Sequence, residues 1–140
     1  MKNYKINKPD LSIANEPAAA YYVNNVRNGI EFSYFLALSV LTSFTEKEWS
    51  SYLHVSERTL QRHKKEQKSF DSLHSEKILQ IELLFRVGIK VFGSNDSFNS
   101  WLNNISISMG SIKPKSLLDS SFGINMVKDE LGRIEHGISA

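Results

Sequence analysis

Basic side chains are concentrated between residues 58 and 68, together with a glutamine of complementary chemistry. The stretch holds five Lys or Arg residues against one Glu, a local charge of +4. Arg and Gln carry paired hydrogen-bonding groups that match guanine and adenine edges in the major groove. Lysines suit phosphates, which carry most of the affinity for DNA. The composition therefore favours DNA binding, although a basic run is also typical of a solvated helix face.

Two short helices separated by a tight turn are predicted to position these side chains. Thr45 and Glu48 form a capping box, which predicts a first helix over residues 45–53. After a two-residue turn, Ser56 caps a second helix that continues to about residue 66. A helix, a short turn and a second helix with matching apolar residues are what a helix-turn-helix requires.

The apolar residues of this unit are spaced so that they point at one another. Trp49 and Leu53 of the first helix, Val55 of the turn and Leu60 of the second helix form this set. The turn departs from one common rule, because His54 stands where many helix-turn-helix units use Gly. Histidine can adopt the positive φ expected there, at some cost.

The second helix is predicted to have an inner and an outer side. Leu60 and His63 face inward, whereas the positions i, i+3, i+4 and i+7 from residue 58 share the outer face. We predict that the residues contacting DNA are Ser56, Glu57, Arg58, Gln61, Arg62, Lys64 and Lys65.

A long helix over residues 75–92 is the predicted centre of the molecule. Apolar residues cover most of its circumference, and Glu82, Arg86 and Lys90 follow one another at four-residue steps on a narrow polar side. Such a helix must be covered on more than one side. The cover is provided by flanking segments of the same chain or by a second subunit, and the helix is at least the longest core helix of a small bundle.

The rest of the chain also indicates helices, which makes the predicted fold class all-α. Residues 32–44 are apolar enough for a strand, but their length and spacing favour a helix. Residues 103–111 are predicted to be a loop with a bend at Gly110, and residues 1–17 a poorly ordered arm. The remaining predicted helices are 18–28, 98–102, 114–118 and 122–136, the last with an apolar face of Ile124, Val127, Leu131 and Ile134.

Composition narrows the class of protein further. The chain has 140 residues, is 41% hydrophobic and contains no cysteine. A packed interior is therefore expected, whereas disulfides, thiolate metal sites and thiol nucleophiles are excluded. We see no signal peptide and no transmembrane span, and we expect a cytoplasmic protein without a membrane partner.

Catalytic chemistry is not indicated. The four histidines, at positions 54, 63, 74 and 136, have no metal-ligand spacing. Asp129 and Glu130 are adjacent and point apart on a helix, which is a poor arrangement for a carboxylate pair. There is no Gly-rich phosphate loop. We therefore predict a protein that is not an enzyme and needs no metal or cofactor.

The C-terminal half carries an ordered series of motifs that is specific. The chain is similar to the toxin-binding domain of the Xre/MbcA/ParS antitoxin family in Phe98-x-x-Trp101-Leu102, Met109-Gly110-x-x-x-Pro114-x-x-Leu117-Leu118-Asp119-x-x-x-Gly123 and Val127-x-x-x-Leu131-x-Arg133-Ile134-x-x-Gly137. The preceding Val55-Ser56-x-Arg58-Thr59-Leu60-x-Arg62 resembles the helix-turn-helix of the same family. The resemblance covers about residues 29–140. The chain departs from the family pattern at Ser111, where a second Gly is common, and at Ser116, where an acidic residue is frequent.

The resemblance implies an antitoxin of a type II toxin–antitoxin pair. The usual partner in this family is a RES-domain toxin that consumes NAD. The C-terminal domain blocks that toxin, and the pair represses its own operon by binding operator DNA through the helix-turn-helix. The division that follows is an arm at 1–17, a DNA-binding domain at 18–92 that includes the long helix, and a toxin-binding domain at 93–140.

Arg133 and the C-terminal tail are the predicted contact with the toxin. In the functional interpretation, Arg133 and the tail enter or cover the mouth of the toxin's cleft. In the structural interpretation, Arg133 only forms a surface salt bridge with Asp129 or Glu130. Core packing is the favoured role of Trp101 and Leu102. The predicted toxin-binding residues are Asp129, Arg133, His136, Gly137, Ile138, Ser139 and Ala140.

Two other functions are compatible with the sequence. One is a transcriptional regulator whose C-terminal region only dimerises it, and the other is an interaction protein whose basic helix is merely a soluble face. A single helix-turn-helix offers few base contacts, so we expect a homodimer that reads two half-sites.

Overall fold

A computed structural model describes residues 18–137 of the protein; the predicted arm at 1–17 and the last three residues of the tail lie outside the described residues. Within 18–137 the chain forms seven α-helices and one short 3₁₀ helix, with an isolated bridge between Ser106 and Ile112 as the one β-type pairing. The prediction of an all-α fold is therefore confirmed. The helices are α1 Ala19–Asn28, α2 Phe32–Leu41, α3 Glu46–Leu53, α4 Glu57–Glu66, α5 Ser72–Phe92, α6 Asn95–Asn103, the 3₁₀ helix Pro114–Leu117 and α7 Ser121–Glu135.

Helix α5 is the centre of the fold, as predicted. It packs against α1 and α3 on the N-terminal side of the molecule and against α6 and α7 on the C-terminal side. Asp71, which with Ser72 is one of the two caps that the sequence offers, caps it by accepting a hydrogen bond from the His74 N–H, so the helix begins at Ser72, three residues before the apolar stretch that starts at Ser75. Its cover comes from the same chain, which was one of the two alternatives.

The polar side assigned to α5 from the sequence is exposed at Lys90 but buried at its other two residues. Glu82 is fully buried and Arg86 is nearly so. The Arg86 Nε and Nη2 atoms lie 3.3 and 3.1 Å from Glu82 Oε1, and the Tyr34 hydroxyl of α2 donates a hydrogen bond to Glu82 Oε2. A four-residue step is typical of an exposed ion pair. In this protein the same step joins two charged residues inside the core, where α2 and α5 meet.

Replacement of Tyr34 tests the buried cluster of Tyr34, Glu82 and Arg86. Burial, and then the charge of Glu82, raise the pKa of Tyr34 well above its ordinary value, so the hydroxyl stays protonated as a donor. Tyr34→Phe leaves a Glu82 oxygen without this donor and should lower the free energy of unfolding by about 1–3 kcal/mol at pH 7.

The pH dependence has a defined sign. Above about pH 10 the unfolded tyrosine ionises while the folded one does not, so wild-type stability falls as the pH rises. The Phe variant lacks this loss, and the gap between the two proteins should narrow from pH 9 towards pH 11 in urea titrations. A constant gap over that range would contradict the assignment.

Aromatic side chains build the core on the N-terminal side of α5. Phe35 contacts Trp49 and Phe70 edge to face, with ring centroids 4.9 and 5.2 Å apart. Phe44 makes the same kind of contact with Phe85 of α5 at 5.7 Å. Edge-to-face pairs of this geometry add to the stability that burial provides. Phe44 lies beyond the end of α2, since the helix predicted to reach it ends at Leu41.

The C-terminal core needs a residue without a side chain on α5. Gly88 is buried against Phe98 of α6, and a Cβ at Gly88 would lie 2.5 Å from carbons of that ring. Phe92 and Trp101 extend the same contact at a centroid distance of 5.5 Å. Trp101 and Leu102 therefore serve as core residues, as favoured from the sequence. Four further side chains of the C-terminal core are fully buried: Leu102, Leu118, Val127 and Leu131.

Candidate DNA- and toxin-binding surfaces

The helix-turn-helix is fixed by local hydrogen bonds that the sequence predicts. Thr45 Oγ1 accepts from the Glu48 N–H and the Thr45 N–H donates to Glu48 Oε1, both at 3.0 Å. Ser56 Oγ caps α4 by accepting from the Thr59 N–H at 3.0 Å. His54 has φ 56° and ψ 41°, the left-handed conformation expected of the turn. The predicted capping box and turn are thus confirmed.

The inner side of α4 is also as predicted. Leu60 is buried, together with Trp49 and Leu53 of α3. The His63 ring stacks on Phe70 with a centroid distance of 4.6 Å and an interplanar angle of 6°. His63 Nδ1 lies 3.1 Å from the Lys68 carbonyl oxygen. These contacts hold α4 by one side only.

All seven residues predicted to contact DNA are exposed. The centre of the outer face is formed by Arg58, Arg62 and Lys65, while Gln61 and Lys64 lie on a flank and line a groove of about 310 Å³ beside Leu36 of α2. Ser56 is engaged as a helix cap. The exposed guanidinium and ammonium groups are compatible with a duplex surface, but their contact with DNA stays a prediction.

The C-terminal end of α7 carries an ion pair that is only half exposed. Arg133 Nε and Nη2 lie 2.9 and 2.8 Å from Glu130 Oε2, and 48% of the Arg133 side chain is accessible against 1% for Glu130. Asp129 is exposed and points away from Glu130, as predicted from their adjacency. His136 and Gly137 are exposed at the end of the helix, with Gly137 at φ 70°.

Residues 104–113 form an ordered turn beside this ion pair. The Ser106 N–H donates to the Ile112 carbonyl at 2.8 Å, and the Ser111 N–H donates to the Ser106 carbonyl at 2.9 Å. Gly110 has φ 89° and Ser111 has φ 60°. Ser111 thus occupies a left-handed conformation that glycine adopts more readily.

The turn is tied to α7 by the same carboxylate that holds Arg133. Ser108 Oγ donates to Glu130 Oε1 at 2.7 Å. Ile105 and Ile107 remain 64% and 85% exposed on this turn. Glu130 therefore binds both the turn that carries these two exposed apolar side chains and the Arg133 guanidinium.

A second set of contacts joins the helix-turn-helix directly to the C-terminal half. Lys115 Nζ lies 2.9 Å from Glu48 Oε2, and the Tyr52 hydroxyl donates to the Lys115 carbonyl at 2.9 Å. His54 Nε2 lies 2.6 Å from the Asp119 carbonyl oxygen. Burial alone would raise the pKa of Glu48, but the Thr45 N–H and the Lys115 ammonium hold it below its ordinary value. We name this set of four residues (Glu48, Tyr52, His54 and Lys115), with the Asp119 carbonyl, the interdomain latch.

Comparison with known families assigns both halves of the chain. A family model described as the antitoxin Xre-like helix-turn-helix domain matches residues 23–81. A second model, described as the antitoxin Xre/MbcA/ParS C-terminal toxin-binding domain, matches residues 88–137. The chain belongs to the Xre/MbcA/ParS antitoxin family. A search of curated proteins finds no match to it.

The two matches place the regions of the antitoxin in the predicted order. They leave residues 82–87 between them, inside α5, so the helix that carries Glu82 and Arg86 is shared by both regions. The predicted boundary after residue 92 stays a prediction. The match to the toxin-binding domain covers the last five residues of α5 and then α6, the turn, the 3₁₀ helix and α7.

Sequence reasoning missed three features of these surfaces. The alternation of Ile105, Ile107 and Met109 was visible, but the exposure of the first two was not. Glu130 was considered only as a surface partner of Arg133, because nothing in the sequence indicates that it is buried or bound to Ser108. The interdomain latch joins residues more than sixty positions apart, and no spacing rule predicts it.

The described residues contain neither a cluster that could hold a metal ion nor a helix that could span a membrane. Between residues 18 and 137, no three His, Cys, Asp or Glu side chains lie close enough together to hold a metal ion. None of the helices in that range has the length and apolar character that crossing a bilayer requires.

Proposed function

We propose that this antitoxin binds and neutralises a RES-type toxin that degrades NAD, and that it represses its own operon through α4. The observation that carries the proposal is the pairing, in one chain, of a matched toxin-binding region with a helix-turn-helix whose basic outer face is exposed. The RES identity of the toxin comes from the family resemblance. We propose that the toxin and the antitoxin act in the cytoplasm.

The DNA-binding part of the proposal is supported by chemistry and shape. Arg58, Arg62 and Lys65 project from a helix that is held only on its opposite side, which is how a recognition helix enters a major groove. A single such helix reads few bases, so we propose that a homodimer binds two half-sites. Because α5 is covered by its own chain, it does not support a dimer, and the proposal of a homodimer rests on the few base contacts that one recognition helix can make.

The toxin-binding part includes the residues predicted on α7. Asp129, Arg133, His136 and Gly137 lie at the accessible end of the matched region. Residues Ile138, Ser139 and Ala140 continue from that end and are proposed to act with them. The antitoxin itself is proposed to be a binding protein and not an enzyme.

Co-expression tests the proposal. The protein encoded by the adjacent reading frame should arrest growth and deplete cellular NAD when it is induced alone. Induction of the antitoxin should restore both, and the two proteins should copurify. The antitoxin with both Arg58→Ala and Arg62→Ala serves as the control, because it should neutralise fully while losing DNA binding.

The alternative function is a regulator without a toxin partner. It would be favoured if the adjacent frame were harmless alone and failed to copurify while the antitoxin still bound its own upstream DNA. Growth arrest that the antitoxin does not relieve would contradict neutralisation directly.

A further inference from the structure

Two exposed isoleucines stand on an unusually well-fixed turn of the toxin-binding region. Ile105 and Ile107 lie in a turn closed by the hydrogen bonds of Ser106, and Ile107 is 85% exposed. Burying such side chains against a partner is favourable by about 25 cal/mol per Å² of apolar area. A backbone segment that is already ordered loses little freedom on binding.

A buried carboxylate is what fixes the turn. Glu130 is 1% exposed and receives hydrogen bonds from Ser108 on one oxygen and from Arg133 on the other. A buried ion pair is a weak means of stabilising a fold, because desolvation offsets much of the attraction. Its structural consequence is position: Glu130 binds both Arg133 and Ser108, the residue that follows Ile107, so the turn and the Arg133 side chain are held by one carboxylate.

We propose that the Ile105–Ile107 turn and Arg133 together form the surface that contacts the toxin, with Glu130 as the positioning residue. This inference rests on the proposed function. The matching partner surface is a shallow apolar depression, which takes the isoleucines, beside a carboxylate, which takes the exposed part of the guanidinium. The fully buried core of an interface is mostly apolar, and arginine is enriched at interfaces.

The toxin-binding region has a second exposed apolar pair, which the proposal sets aside. Phe122 and Met126 are 87% and 51% exposed near the start of α7. Ser121, their neighbour, donates a hydrogen bond to Gln80 of α5 at 3.1 Å, which places this end of α7 beside the helix that both regions share. We prefer the turn because Glu130 binds both the turn, through Ser108, and the half-exposed guanidinium of Arg133.

The absence of cysteine from the chain permits a direct test. Ile107→Cys and Phe122→Cys are matched variants, since the two native side chains are almost equally exposed. Each is treated with a maleimide reagent, with and without a saturating amount of the adjacent frame's protein. We expect the toxin to slow modification of the first variant about tenfold or more and to leave the second within about twofold, because an interface centre excludes solvent.

A second measurement tests how much each proposed side chain contributes to toxin binding. Ile105→Ser with Ile107→Ser, and separately Arg133→Gln, should each weaken toxin binding at least tenfold, whereas Phe122→Ser should not. Unchanged modification of I107C in an intact complex, protection of F122C instead, or equal protection of both would each overturn the inference while leaving the proposed function standing. Failure of the wild-type antitoxin to form any complex would overturn the proposed function, and the inference with it.

Discussion

Gly123→Ala is expected to destabilise the antitoxin severely, although alanine is the better helix former. A Cβ at Gly123 would lie 1.7 Å from the Leu117 carbonyl oxygen and 2.7 Å from the Leu117 carbonyl carbon. These atoms belong to the backbone of the 3₁₀ helix, so no change of rotamer relieves the overlap. We expect the free energy of unfolding to fall by about 3 kcal/mol or more, because overpacking against a rigid neighbour forces backbone shifts.

Gly132→Ala is the matched control on the same helix. Nothing lies within 4 Å of a Cβ at Gly132, and its φ is not in the positive range. The alanine should stabilise α7 by about 0.5–1 kcal/mol through helix propensity alone. Thermal unfolding should therefore separate the two variants by roughly 10 °C or more, with Gly123→Ala below the wild type. Equal melting temperatures would show that α7 does not pack on the 3₁₀ helix as described.

Features that depend on neighbouring residues could be predicted from the sequence. The capping box at Thr45 and Glu48, the cap at Ser56 and the end of α5 at Gly93 each follow from chemistry within one turn of helix. The same locality explains the small errors. Ser94 caps α6 and starts it at Asn95, before its first apolar residue, where periodicity gives no signal.

Features that depend on distant residues could not be predicted. Glu82 and Arg86 have the spacing of an exposed ion pair, and only Tyr34, forty-eight residues earlier, shows that they lie in the core. Glu130 is equally ambiguous until Ser108 is placed beside it. In both cases a four- or three-residue step is the same for a surface pair and a buried one, and the difference lies in which element covers it.

His54 shows how a local rule and a distant contact combine. Its positive φ was expected to be a cost, since glycine would adopt that conformation more easily. The imidazole, however, lies within hydrogen-bonding distance of the Asp119 carbonyl in the toxin-binding region, a contact that glycine could not make. The turn that orients α4 is therefore attached to the region proposed to hold the toxin.

The double replacement Arg58→Ala with Arg62→Ala is expected to abolish operator binding at physiological salt. Both side chains are exposed on the outer face of α4, where a guanidinium can bond to guanine O6 and N7 or to a phosphate. Each change should cost about 1–3 kcal/mol of binding free energy, and the pair about a hundredfold or more in affinity. Fluorescence anisotropy with a labelled duplex from the chain's own upstream region measures this loss.

Lys65→Ala and Lys128→Ala distinguish contacts with bases from contacts with phosphates and from a general effect of positive charge. Lys65→Ala should weaken binding to all duplexes alike and reduce the slope of log K against log salt by about 1. Lys128→Ala removes an exposed cation on α7, far from α4 in sequence, and should change neither quantity measurably. If the double Arg variant lost no more affinity than Lys128→Ala, α4 would not be the recognition helix. A loss confined to the operator, with nonspecific duplexes unaffected, would assign the two guanidinium groups to base edges.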